Sequence, residues 1–232
     1  GDDAAEGAEG EGETPGVDAP SREVVEPDVI HRAGDLLYVL NQHRGLSIVD
    51  LETEQLLTQV PTFGYPRDLY VVGNQAYVLV GYANNYAETD GSVAFDLGTR
   101  LFVVDVAQPA SAAVTAEFAL EGDLVDSRLV GDVLYAISAE FQWEYGGIDL
   151  DSPVIRKQTS SSWVSSVSLA DPGTIAVMDT QSFAGYGNVV QATNFALFVS
   201  SGEWFSGESE ITYVDISDPA GAIVVRGSVA VP

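Results

Sequence analysis

The chain of 232 residues is 46% hydrophobic and carries 35 acidic against nine basic residues, a formal net charge of −26. That is enough apolar material for one large domain or two small ones, and the charge argues against nucleic acid or anionic lipid as a partner. Cysteine is absent, which excludes disulfides, thiolate metal sites and cysteine nucleophiles together.

The chain opens with GDDAAEGAEGEGETPGVDAP, a Gly/Ala/Glu/Pro stretch with almost nothing to bury. Residues 1–25 are therefore expected to be a disordered acidic tether, of the kind that follows the processed amino terminus of an exported or lipid-anchored protein. No run approaches the roughly 18 apolar residues of a membrane span.

From residue 26 the chain repeats itself. A glycine, a polar residue and a short apolar run with an aromatic recur as Gly34 to Leu40, Gly73 to Leu79 and Gly131 to Ile137, with a degraded copy at Thr193 to Val199. Gly followed by Asp or Asn is tight-turn chemistry, so each copy reads as turn and then strand. A second strand ending in a polar turn follows each: Leu46 to Asp50, Leu101 to Pro109, Val164 to Pro172 and Ile211 to Pro219. Pro109, Pro172 and Pro219 fall in register with Glu54, at spacings of 55, 63 and 47 residues.

A strand before each glycine (Val29 to Ile30, Leu69 to Val72, Arg128 to Val130, Val189 to Gln191) and one after each polar turn (Leu56 to Val60, Val114 to Leu120, Thr174 to Met178, Ile223 to Val229) complete four-stranded units. Such meanders, apolar on both faces, need a neighbour on each side, and radial repetition supplies it. The expected fold is all-β: a β-propeller of four-stranded antiparallel blades, with units at residues 26–64, 65–122, 123–186 and 187–232. Four repeats are expected to form part of a larger propeller, with a closed four-bladed ring as the alternative. A β-sandwich also spaces strands with turns, but does not predict one ordered pair of motifs four times.

The phrases GLSIVDLE, RLFVVDVAQPA and EITYVDISDPA, each preceded by a strand of the kind in Gly34 to Val39, resemble the LVIVD-type repeats of bacterial secreted and surface proteins with a C-terminal β-propeller domain. The resemblance spans residues 26 to 232. It implies a propeller fold and an extracytoplasmic location, secreted, periplasmic or surface-anchored as a lipoprotein. It brings no catalytic residues.

The connections between second and third strands differ most in length: Asn41 to Gly45, Gly81 to Thr99, Ala139 to Ser162 and Ser201 to Glu210. In a propeller these loops share one face. They carry Tyr82, Tyr86, Phe141, Trp143, Tyr145, Trp204 and Phe205, the candidate contacts for a protein, peptide or glycan at the cell surface. The competing role for these rings is to staple long loops onto the blades. Asp90, Asp96, Asp149 and Asp151 in the same loops are hard oxygen donors of the type that binds Ca²⁺, although no complete calcium loop is present.

The acids ending the third strands, Asp50, Asp105 and Asp215, are expected to accept backbone N–H groups in the following turn. There is no nucleophile elbow, phosphate-cradling glycine loop or zinc-helix motif, and histidine occurs only at His31 and His43. The expected function is noncatalytic binding or scaffolding. The alternative is a propeller-type hydrolase or lyase acting on polysaccharide, with calcium as its cofactor.

Overall fold

The computed structural model describes residues 22–89, 92–145, 156–202 and 209–231. Its strands are, in chain order, β1 (Val24–Val25), β2 (Ile30–Ala33), β3 (Leu36–Asn41), β4 (Gly45–Asp50), β5 (Gln55–Val60), β6 (Tyr65–Val72), β7 (Gln75–Thr89), β8 (Ser92–Asp105), β9 (Ala113–Leu120), β10 (Asp123–Val130), β11 (Val133–Tyr145), β12 (Arg156–Ser168), β13 (Ala176–Ala184), β14 (Tyr186–Ala192), β15 (Ala196–Gly202), β16 (Ser209–Asp215) and β17 (Val224–Val231). A single 3₁₀ turn, Pro109–Ser111, is the only helical element among the described residues. None there is long and apolar enough to cross a membrane.

The strands form four antiparallel meanders in chain order: β2 to β5, β6 to β9, β10 to β13 and β14 to β17. Each begins with a two-residue turn whose first position is Gly34, Gly73 or Gly131, at φ 61°, 56° and 59°. Positive φ at that position alone is the signature of a type II′ turn, whose twist matches the flanking strands. The residues that follow, Asp35, Asn74 and Asp132, accept the N–H of Leu51, Val106 and Leu169, each at 2.8 Å.

In the fourth sheet the corresponding acceptor is Phe195, bonded to the N–H of Ile216 at 2.9 Å. Asn194 therefore takes the glycine position, and the aromatic equivalent to Tyr38, Tyr77 and Tyr135 is Phe198. This corrects the alignment of the degraded copy by one residue. Its turn is held by a side chain instead, with Thr193 Oγ1 accepting the N–H of Ala196 at 2.9 Å.

The third strand of every sheet carries a β-bulge at one repeat position, Ile48/Val49, Val103/Val104, Ser166/Val167 and Tyr213/Val214. Bulges raise local twist, and stacking twisted sheets is what turns a row of meanders into a fan.

The sheets stack through three apolar cores. The first joins Tyr38, Leu46 and Ile48 to Ala76, Val78 and Val104; the second joins Tyr77, Leu101 and Val103 to Leu134, Ala136 and Val167; the third joins Tyr135, Ile137 and Val164 to Leu197, Val199 and Val214. Each side chain so buried contributes roughly 1.5–3 kcal/mol. The tyrosine side of one sheet always meets the aliphatic side of the next. The first strands adjoin one another, β2 with β6, β6 with β10 and β10 with β14, and so line an axis. Four four-stranded antiparallel sheets in this arrangement are propeller blades.

Two features depart from expectation. The domain starts before residue 26: β1 pairs with β10 through Val24 and Val130, and Arg22 donates to the carbonyls of Ile216 at 2.5 Å and Val130 at 3.0 Å. Asp28 then exchanges two backbone hydrogen bonds with Leu69 on β6, at 3.2 and 2.9 Å. Residues 22–28 are thus a strap along the axial strands of blades four, three and two; residues 1–21 lie outside the described residues. The connections expected as loops in repeats two and three are, over much of their length, strand: β7 and β8 stay paired from Ala83 and Gly98 to Thr89 and Ser92, and β11 and β12 out to Tyr145 and Arg156. The boundary expected at 186/187 falls just inside β14.

Candidate functional site

Both long hairpins leave the disc on the same face as the links between blades, because a four-stranded meander returns its last strand to that end. The links are pinned from below. Thr99 and Ser162, buried at one repeat position, donate to the carbonyls of Gly122 and Gly185 at 2.9 and 2.7 Å, and Ser162 Oγ accepts the N–H of Gly187 at 2.7 Å.

On this face, between blades one and two, three aromatics stand open: Phe63 is 77% exposed, Tyr65 52% and Tyr82 57%. Tyr65 and Tyr82 meet edge to face with ring centroids 6.1 Å apart. Tyr82 sits at the base of the long hairpin, in the register break between Val80 and Ala83, with φ at 48°. A left-handed tyrosine is uncommon and is held here by its surroundings, since its N–H donates to Asp123 Oδ1 at 2.7 Å. Arg67 donates to the carbonyls of Leu124 and, at 3.3 Å, Val125, locking blade two to blade three beside it. Tyr186 completes the group. Burial raises the pKa of its hydroxyl above the ordinary tyrosine value, Asp123 and Tyr82 add to the rise, and Arg67 opposes it.

Outward from Tyr82 runs a groove of about 480 Å³ lined by Pro61, Phe63, Ala83, Arg100, Phe102, Val114 and Glu117. Its wall carries the Arg100–Glu117 ion pair. The floor is apolar and the wall charged, a surface that takes a flat or extended ligand edge rather than enclosing a small molecule.

Of the aromatics expected here, Tyr82 is on the surface as anticipated. Tyr86, Phe141, Trp143 and Tyr145 lie in paired strands, opposite Phe95, Ser160, Gln158 and Arg156, and not in loops. Asp96 is likewise in a strand, opposite Asn85. The side chains of these five residues lie outside the described residues, as do Trp204, Phe205, Asp90, Asp149 and Asp151 entirely. Among the described residues no group of three or more His, Asp or Glu side chains is placed to hold a metal ion. The sequence reading missed Phe63, Tyr65, Arg67, Asp123 and Tyr186, all at or beside links between blades. The signal was Gly64 and Gly122, each at positive φ and each next to one of them.

A family model described as Beta propeller domain matches residues 19–232. The chain belongs to the beta propeller family. No curated protein matches it. The propeller's opposite face, where the two-residue turns lie, holds a second concavity of about 470 Å³ under the strap, edged by Glu23, Glu26, Asp28, His31 and Asp132. Between the axial strands of blades two and three lies a buried polar chain. Ser127 donates to Asp68 Oδ2 at 2.5 Å and shares a hydrogen bond with Tyr70 Oη at 2.9 Å. Burial raises the carboxyl pKa of Asp68 above the ordinary aspartate value, Ser127 lowers it and Asp126 raises it further.

Proposed function

We propose that this propeller is a noncatalytic, extracytoplasmic binding or scaffolding domain that engages a protein, peptide or glycan through its hairpin face. The observation that supports this best is the open aromatic step of Phe63, Tyr65 and Tyr82, with Tyr82 held in a left-handed conformation by Asp123. Large rings kept in water beside an apolar groove favour contact with sugar faces or apolar side chains, because each contact removes that surface from solvent. The extracytoplasmic placement rests on the LVIVD-like character of the repeats and belongs to the same proposal.

The test is a glycan array combined with a displayed-peptide library, comparing the wild type with a Tyr65→Ala/Tyr82→Ala double variant and a Trp143→Ala variant. The double variant is expected to lose at least about tenfold in affinity, the effect of removing a small aromatic hot spot. Its circular dichroism should stay that of the wild type. Full retention of binding in the double variant would count against this face as the binding surface.

A further inference from the structure

The first and last blades each carry one face whose counterpart in the other blades is core. On the far side of blade four, Phe198 is 37% exposed and Val229 59%, and Ile211 and Tyr213 are half-buried. The pairing register makes Phe198 the equivalent of Tyr38, Tyr77 and Tyr135, which are 3%, 1% and 0% exposed inside the three cores. Phe198 stacks on Tyr213 with centroids 5.6 Å apart, the pair standing where Tyr38 and Ile48 meet the second blade. On the near side of blade one, Leu37, Val39 and Val49 are half-buried. Their equivalents are fully enclosed: Ala76, Val78 and Val104 in blade two, and Leu197, Val199 and Val214 in blade four. Among the described residues no apolar cluster joins the first blade to the last.

These faces are the two unlike halves of the contact the molecule already makes three times, an aromatic side against an aliphatic side. We propose that a second copy of the chain occupies them head to tail, blade four of each copy seated on blade one of the other. The contact is heterologous, so two copies use both halves and leave neither open. Two four-bladed arcs then total roughly eight blades, the upper end of the usual propeller range. The partner chemistry follows from continuity with the internal contacts, because the repeat that built those cores also built both open faces.

The test is sedimentation of the 232-residue chain over about 1 to 100 µM, in roughly 0.5 M salt to screen repulsion between copies that each carry −26. The wild type is expected to run as a dimer at the upper concentrations. Phe198→Asp and Val49→Asp, each checked for fold by circular dichroism, should each be monomeric. Mixed in equal amounts they should associate again, because the sound blade one of the first meets the sound blade four of the second. Tyr213→Asp and Val39→Asp repeat the design if either variant fails to fold. A wild type that stays monomeric throughout, a dimer indifferent to both substitutions, or a mixture that stays monomeric would each overturn the proposal.

Discussion

Asp50, Asp105 and Asp215 each turn a carboxylate oxygen back onto the chain, accepting the N–H of Glu52, Ala107 and Ser217 at 2.8, 2.9 and 2.9 Å. Those bonds favour the ionised form and hold Asp50 and Asp215 below the ordinary aspartate pKa, for Asp215 with help from Arg226. Their stabilisation is present above the unfolded pKa and is lost as pH falls through the lower folded value. Asp68 runs the other way. Burial raises its pKa, so the folded state takes up its proton first, and stability increases as pH falls through the folded value toward the unfolded one. Asp68→Asn keeps an acceptor for Ser127 without the buried charge. Its stability advantage over the wild type, read by chemical denaturation, is expected to be largest at pH 7 and to shrink as pH approaches 4, where Asp68 itself is neutral. The local role of the turn acids was legible because an Asp two residues before an N–H bonds within its own turn. Asp68 was not, because its partner Ser127 is 59 residues away.

At the scale of elements, the turn glycines and the link glycines face different demands. Gly34 has φ at 61° and nothing within 4 Å of where a Cβ would stand, whereas at Gly122, with φ at 66°, a Cβ would stand 2.8 Å from the Trp163 ring. Gly34→Ala is expected to cost about 1 kcal/mol, the left-handed backbone penalty alone. Gly122→Ala adds overpacking against Trp163 and is expected to cost about 2–4 kcal/mol. Equal costs in urea titrations would mean that the link has room to move. The turn-then-strand motif predicted where strands begin, because Gly-Asp and Gly-Asn encode a turn locally. It did not predict where the long hairpins end: Ala83 to Thr89 opposite Ser92 to Gly98 carries no strict alternation, and its pairing is imposed by the strands beneath. The fourth repeat slipped by one residue for a related reason, since its turn is made by Thr193 and Asn194 in place of Gly and Asp.

At the scale of the molecule, the strap ties blades that are far apart in the chain. Arg22 joins the carbonyl of Val130 in blade three to that of Ile216 in blade four and also reaches Tyr135 Oη at 3.3 Å. Arg22→Ala leaves those part-buried acceptors without their donor and is expected to cost about 1–3 kcal/mol. Hydrogen exchange should then quicken at Val24, Val25 and Gly131, while β4 and β8 keep their protection. Uniform loss of protection would mean that the strap is part of the cooperative core rather than a clasp on it.

The repeats, the all-β class, the strand order within each blade and the turn role of the acids could all be read from residues close together in the chain. Local turn chemistry and apolar runs encode them without reference to the rest of the molecule. Three-dimensional packing decided the rest: the strap along the axis, the buried chain of Asp68, Ser127 and Tyr70, the step of Phe63, Tyr65 and Tyr82, and the open faces of the end blades. Each of these joins residues from different blades, and a contact between distant segments leaves no periodicity in either of them.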